Sequence, residues 1–144
     1  MMEIVYRRIA DEKEAQTASE LENSCLSTAW SREQILNIPE YAIYLSAFEG
    51  DILCGIASMY AIAGEGQIMN LAVRDDYRRR GIANGLMNEL VKYAVLKKCD
   101  IITLEVAEDN LSAISLYKKC GFVSVGRRNG FYNGKDALIM EKKL

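Results

Sequence analysis

The chain has 144 residues, half of them hydrophobic, and 18 basic against 20 acidic side chains give a net charge of −2. That length suffices for one domain with a real core, over 1–144, and the balanced charge argues against a general nucleic-acid or membrane binder. Histidine is absent, which removes Ser-His-Asp triads, Cys-His nucleophile pairs and histidine metal sites. The four cysteines, Cys25, Cys54, Cys99 and Cys120, form no CxxC pair, so no metal site is expected. Glu3, Arg7, Arg8, Asp11 and Glu12 leave no signal-peptide core, and no run is long and apolar enough to span a bilayer. A soluble, cytoplasmic protein is the expectation.

Alternation over Met2 to Ile9 predicts a first strand. Asp11 is a candidate N-cap for a helix to about Leu26, with Ala15, Ala18, Leu21 and Leu26 on its apolar face. Ser31 is a second candidate N-cap, for a short helix from Arg32 to Ile38 that Pro39 stops. Tyr41–Phe48 and Ile52–Ile62 read as a hairpin around Glu49-Gly50-Asp51, and Gly64-Glu65-Gly66 turns the chain into a strand over Gln67–Val73. Ile82, Leu86, Leu90 and Ala94 recur at i+4, predicting a helix that ends near Lys97-Lys98. Ile101–Val106 is an apolar strand with one acid, Glu105. A helix capped by Asn110 and closed by Gly121 follows. Phe122–Val125 and Ala137–Glu141 complete the set, joined by a loop over Asn129–Lys135. Seven strands and four helices in this order predict an α/β fold with a mixed sheet, and Gln67–Val73, helix and Ile101–Val106 form a parallel crossover.

One stretch carries chemistry directly. After Gln67–Val73 comes a polar turn, then Arg78-Arg79-Arg80-Gly81-Ile82-Ala83-Asn84 and the helix. A strand, a cationic turn of small residues and a helix start make an anion site, because free backbone N–H groups and the helix dipole point at the ligand. Neither a Walker loop nor a dinucleotide fingerprint is present.

Arg78-x-x-Gly81-x-Ala83 resembles the Gln/Arg-x-x-Gly-x-Gly/Ala turn of the GCN5-related N-acetyltransferases, which there binds the pyrophosphate of acetyl-coenzyme A. Downstream, Leu104-Glu105-Val106, Asn110, Ala113, Leu116-Tyr117 and Gly121-Phe122 are similar to that superfamily's second signature, at the same distance after the turn. The two together cover roughly the C-terminal half. Trp30-Ser31 and the ending Arg127-Arg128-Asn129 … Asp136-Ala137-Leu138-Ile139-Met140 further resemble the bacterial ribosomal-protein-alanine N-acetyltransferases, which modify a ribosomal protein's N-terminal alanine. Thr28-Ala29 stands where those enzymes often have His-Pro, and Phe131-Tyr132 where they have paired tyrosines. Both departures bear on the acceptor rather than the reaction.

The resemblance implies acetyl-CoA as cofactor and direct transfer to a protein or peptide N-terminus. It makes Glu105 the general base, working through water, and Tyr117 the acid that protonates the departing thiolate. Arg78, Arg79, Arg80, Gly81, Ile82, Ala83 and Asn84 would form the turn that binds the cofactor's phosphates, the arginines equally well by long-range attraction while the backbone binds, and Asn110 and Tyr117 would meet its pantetheine arm. A backbone N–H among Leu71, Ala72 and Val73 would meet the thioester carbonyl. Trp30, Arg127 and Tyr132 are candidates for the acceptor groove. Taken by themselves the residues leave alternatives: Glu105 as a salt-bridge partner, Tyr117 and Trp30 as core aromatics, Asn110 as a plain helix cap, Arg127 as part of a solvated basic turn. A lysine or small-molecule amine is the nearest alternative acceptor, and a non-catalytic acyl-CoA sensor the alternative from another class.

Overall fold

The structure, a computed structural model, describes residues 3–132 and 134–144, with the side chains of 131 and 132 outside the description. In chain order the elements are β1 (Ile4–Arg8), α1 (Glu12–Cys25), α2 (Arg32–Leu36), β2 (Ala42–Glu49), β3 (Ile52–Ile62), β4 (Glu65–Val73), α3 (Ile82–Leu96), β5 (Ile101–Ala107), α4 (Leu111–Lys119), β6 (Val123–Tyr132) and β7 (Lys135–Lys143). A 3-10 turn, Asp75–Tyr77, sits between β4 and α3.

All seven strands form one sheet in the order β1-β2-β3-β4-β5-β7-β6. β4 and β5 run parallel and the other neighbours antiparallel, so this is the expected mixed sheet. α1 and α2 cover one face through Ala15, Ala18, Leu21 and Ile35, which pack on Tyr44, Phe48, Ile56 and Ala72. α3 and α4 cover the other, where Ile82, Leu86, Leu90, Ile114 and Tyr117 meet Ile43, Leu45, Ala57, Met59 and Leu104. The period-2 alternation of β2–β4 therefore feeds two cores, one per face.

The caps are those the sequence offered. Asp11 accepts from the Glu14 N–H at 2.9 Å, Ser31 forms a capping box with Gln34, and Asn110 accepts from the Ala113 N–H at 3.3 Å. Several boundaries differ from the sequence reading, three of them for a visible reason. α2 ends at Leu36, two residues short of Ile38, as the chain nears Pro39. β4 already begins at Glu65, because Glu65 and Gly66 pair with both Ile62–Ala61 and Ile101–Ile102. The stretch assigned to a loop, 129–135, is mostly strand: β6 continues to Tyr132 and pairs with β7 through Tyr132↔Lys135. Gly130 and Gly134 argue for a loop on propensity, but pairing to β7 extends the strand through a shifted register.

Candidate active site: a gap between β4 and β5

β4 and β5 pair only at their beginnings, through Glu65↔Ile101, Gly66↔Ile102 and Gln67↔Thr103. Beyond Gln67 the two strands have no register partners in each other, while β4 stays paired to β3 through Val73. A bulge lies where they part: Ser58 faces Asn70 and Met59 faces Ile68, so Met69 is the extra residue on β4. An extra residue bends the strand that carries it, and here the bend coincides with the opening of the gap. Successive strand residues direct their N–H groups to opposite edges. At least one N–H of Leu71, Ala72 and Val73 therefore faces the gap rather than β3.

The turn above the gap is built to leave α3's first N–H groups accessible. Gly81 is the N-cap at φ 77°, φ at Arg79 is also positive (62°), and no side chain caps the helix. A Cβ built at Gly81 would meet no atom within 4 Å, so the backbone is open to an anionic group. The arginines differ in their engagement. Arg78 pairs with Asp75 at 3.2 Å, and Arg74 with Asp76 at 3.0 Å. Arg80 turns back to Glu49 and lies over the Tyr77 ring at 4.7 Å, while Tyr77 Oη donates to Glu49 at 3.0 Å. These contacts hold Glu49 below the usual carboxylate range, the Arg80 hydrogen bond contributing most. Arg80 thus braces the turn against the β2–β3 hairpin. Asn84, in the first turn of α3, accepts from Cys120 Sγ at 3.4 Å and ties that turn to the end of α4.

Glu105 and Tyr117 lie on opposite faces of β5. Ile102, Leu104 and Val106 are buried against α3 and α4, so alternation directs Glu105 to the face those helices do not cover. Its Oε1 meets Arg128 Nη2 of β6 at 2.8 Å, with a quarter of the side chain exposed. Tyr117 is buried among the α3–α4 core residues, its ring 6.1 Å from that of Phe122. Asn110 opens the same helix seven residues earlier, two turns away on the same side. Its cap uses the carbonyl oxygen and not the amide nitrogen.

At the end of β5 the charges form a network. Arg127 Nη1 bridges Glu108 at 2.7 Å and Asp136 at 3.3 Å, and Lys135 pairs with Asp109. The Lys135 ammonium draws the Asp109 carboxyl below its ordinary range. Arg127 is therefore part of an ion-pair cluster rather than a lone basic turn, and Tyr132's side chain lies outside the described residues. Trp30 stands across the sheet from these. Its ring lies 6.0 Å from both Tyr44 and Tyr60 and packs on the α1–α2 core. Its backbone is pinned at both ends: the N–H donates to Glu22 at 3.0 Å and the carbonyl accepts from Ser19 Oγ at 2.8 Å.

Two features escaped the sequence reading. Arg128 as the partner of Glu105 depends on strand order, which no local pattern reveals. Glu22, fully buried on α1, had a local signal: it falls at i+7 from Ala15 and i+4 from Ala18, on the helix's apolar stripe. Among the described residues no three or more Cys, Asp or Glu side chains converge as a metal site, and no helix is long and apolar enough to cross a membrane.

A parallel strand pair that splays, with an uncapped, glycine-turned helix N-terminus above the opening, makes a cleft with an anion site at its mouth. Residues 7–122 match the model of the acetyltransferase (GNAT) family, and the chain belongs to it. It is an acetyltransferase that uses acetyl-CoA. It is similar to a putative ribosomal protein bS18-alanine N-acetyltransferase of Bacillus subtilis, 32% identical over 127 residues, 84% of this chain and 83% of that one. Other curated relatives are longer, and the chain spans 30% and 34% of two of them. Among solved structures, the ribosomal-protein-S18-alanine N-acetyltransferase of Escherichia coli superposes with a TM-score of 0.86 at 23% identity, covering 98% of this chain and 94% of that one. A chain of the NatC complex bound to Gag peptide and CoA superposes with a TM-score of 0.86 at 28% identity and 99% coverage of both.

Proposed function

We propose that the chain, working as one unit over 1–144 in the cytoplasm, transfers acetyl from acetyl-CoA to the N-terminal α-amine of a protein, an alanine of a ribosomal protein being the leading candidate. The observation that carries this reading is that Glu105 lies on β5 beyond its last pairing with β4, directed to the sheet face opposite the α3–α4 core that holds Tyr117. A thioester lying in the gap is reached by an amine from the Glu105 face, while its sulfur lies on the Tyr117 face. The similarity to the Bacillus protein, named for alanine N-acetylation, supports the α-amine as acceptor, and the Gag peptide bound to the NatC complex supports a peptide.

The residues divide the work as follows. N–H groups of Ile82, Ala83 and Asn84, with Gly81 clearing the approach, hold the pyrophosphate; Arg78 and Arg79 supply positive potential there. Asn110 and Tyr117 contact the pantetheine arm. An N–H of Leu71–Val73 donates to the thioester oxygen as negative charge develops on it. Glu105, through water, accepts the proton that the attacking amine loses. The amine nitrogen then bonds to the carbonyl carbon, the carbon–sulfur bond breaks, and Tyr117 protonates the thiolate. An α-amine titrates near 8, against about 10.4 for lysine, so a partly exposed carboxylate acting through water suffices for it. Of the acceptor-groove candidates, Trp30 packs on the α1–α2 side of the sheet, the face to which Glu105 is directed; Arg127 and Tyr132 stay candidates on the resemblance alone.

The test is acetyl transfer to peptides with free Ala, Ser or Met N-termini, to N-blocked lysine peptides and to polyamines. Turnover confined to free N-termini supports the reading. Turnover on lysine or polyamines alone overturns the acceptor, and coenzyme binding without any transfer favours the sensor.

A further inference from the structure

The sheet face under α1 carries a polar row where a hydrophobic one would be expected. Tyr44 of β2, Ser58 of β3 and Asn70 of β4 are register partners side by side, and all three are buried. Glu22 of α1 lies over them, itself 0% exposed. Tyr44 Oη donates to Glu22 Oε2, and Asn70 Nδ2 donates to Glu22 Oε1 at 2.6 Å. The same Oε1 accepts from the Trp30 N–H at 3.0 Å. No lysine or arginine pairs with Glu22 among the described residues, and burial pushes its carboxyl above the usual range. Ser58 Oγ has no hydrogen-bond partner among the described residues.

Such a row is an expensive way to fill a core. A buried carboxylate without a cation is costly, and well-packed apolar side chains in its place are often neutral or better for stability. Its geometry serves another end. Asn70 immediately follows the bulged Met69, where β4 parts from β5, and precedes Leu71–Val73, at least one of whose N–H groups faces the gap. Trp30 leads into α2 on the acceptor side, with its ring against Tyr44 and Tyr60. Among the described residues, Glu22 is the one group bonded to both Asn70 and Trp30.

We propose that Glu22 is a positioning residue that fixes the β4 bulge, through Asn70, in register with the acceptor-side segment at Trp30, so that thioester and amine are held at reacting distance. This rests on the reading that Leu71–Val73 contact the thioester. Hydrogen bonds specify one arrangement where an apolar core tolerates several, and a misplacement of about 1 Å can cost on the order of a hundredfold in rate.

The experiment compares wild type, Glu22→Gln, Asn70→Ala and the all-apolar triple variant Glu22→Met/Tyr44→Phe/Asn70→Leu, using whichever amine the wild type acetylates. A failed acceptor reading therefore shows in the wild type, and a failed positioning role only in the variants. The triple variant is expected to melt cooperatively at or above the wild-type temperature, yet to lose at least about tenfold in kcat while KM for acetyl-CoA changes little. Glu22→Gln, which keeps the bonds to Trp30 and Asn70, is expected to retain wild-type kcat within about threefold. A stable triple variant with wild-type kcat overturns the proposal. Should the triple variant not fold, Asn70→Ala decides, assayed where circular dichroism shows it native: a tenfold loss supports the role, and wild-type kcat refutes it.

Discussion

Gly85, in the first turn of α3, faces Tyr6 of β1 so closely that an alanine there tests how the cofactor helix is seated. A Cβ at Gly85 would fall 1.9 Å from Tyr6 Oη, 2.4 Å from Cζ and 3.0 Å from Cε1. Non-bonded carbon contacts are comfortable at about 3.5–4.0 Å, so the tip of the ring must retreat by about 1.5–2 Å, or α3 must lift from β1. Alanine for glycine within a helix contributes up to about 1 kcal/mol, and forced overpacking typically costs about 1–3 kcal/mol. Gly85→Ala is therefore expected to destabilise by up to about 2 kcal/mol in wild type, but to stabilise by up to about 1 kcal/mol once Tyr6→Ala has removed the ring. Urea unfolding of the four proteins in this cycle measures the reversal of sign. The helix start that moves also presents the pyrophosphate site, so KM for acetyl-CoA is expected to rise in Gly85→Ala and to recover in the double variant. Stabilisation by Gly85→Ala in both backgrounds would refute the close approach.

Glu105→Gln is expected to lower kcat/KM by about 10²–10⁴-fold, the usual worth of a positioned base, with little change in melting temperature because its Arg128 partner is more than half exposed; a loss below tenfold would remove Glu105 from that role. Tyr117→Phe keeps the buried ring against Phe122 and loses only the hydroxyl, so kcat is expected to fall at least tenfold while the melting temperature stays within a few degrees, as a thermal melt beside a steady-state assay will show. Stability against pH tests Glu22. A carboxyl held above its unfolded value near 4.5 binds its proton more tightly in the folded state, so its contribution to stability falls as pH rises past that value. Glu14, Glu49 and Asp109, drawn down by their cations, act in the opposite sense but cancel in a comparison of variants. The melting temperature of Glu22→Gln minus that of wild type should therefore increase between pH 4.5 and 7, and a flat or falling difference contradicts a raised carboxyl.

What could be read from the chain alone is what local chemistry dictates. The cationic turn and uncapped helix start at Gly81 lie within a few residues, as do the caps at Asp11, Ser31 and Asn110 and the alternation that turns Glu105 away from Leu104 and Val106. Each is a relation over one to seven residues, and the period of a helix or strand makes it visible. The second signature added the family and, with it, acetyl-CoA. Strand order, by contrast, is set by which edges find partners, and β7 inserting between β5 and β6 is what brings Arg128 to Glu105 and turns a glycine-rich loop into a hairpin. The bulge at Met69 exists only because β3 and β4 pair out of step, and the gap only because β5 stops following β4. Glu22 shows the same division within one residue. Helical spacing places it on the inner stripe of α1, but its partners come from 8, 22 and 48 residues away, and only the folded chain brings their polar atoms together over the carboxylate. Burial enforces that meeting, since a carboxylate out of water must find its donors wherever the tertiary structure supplies them.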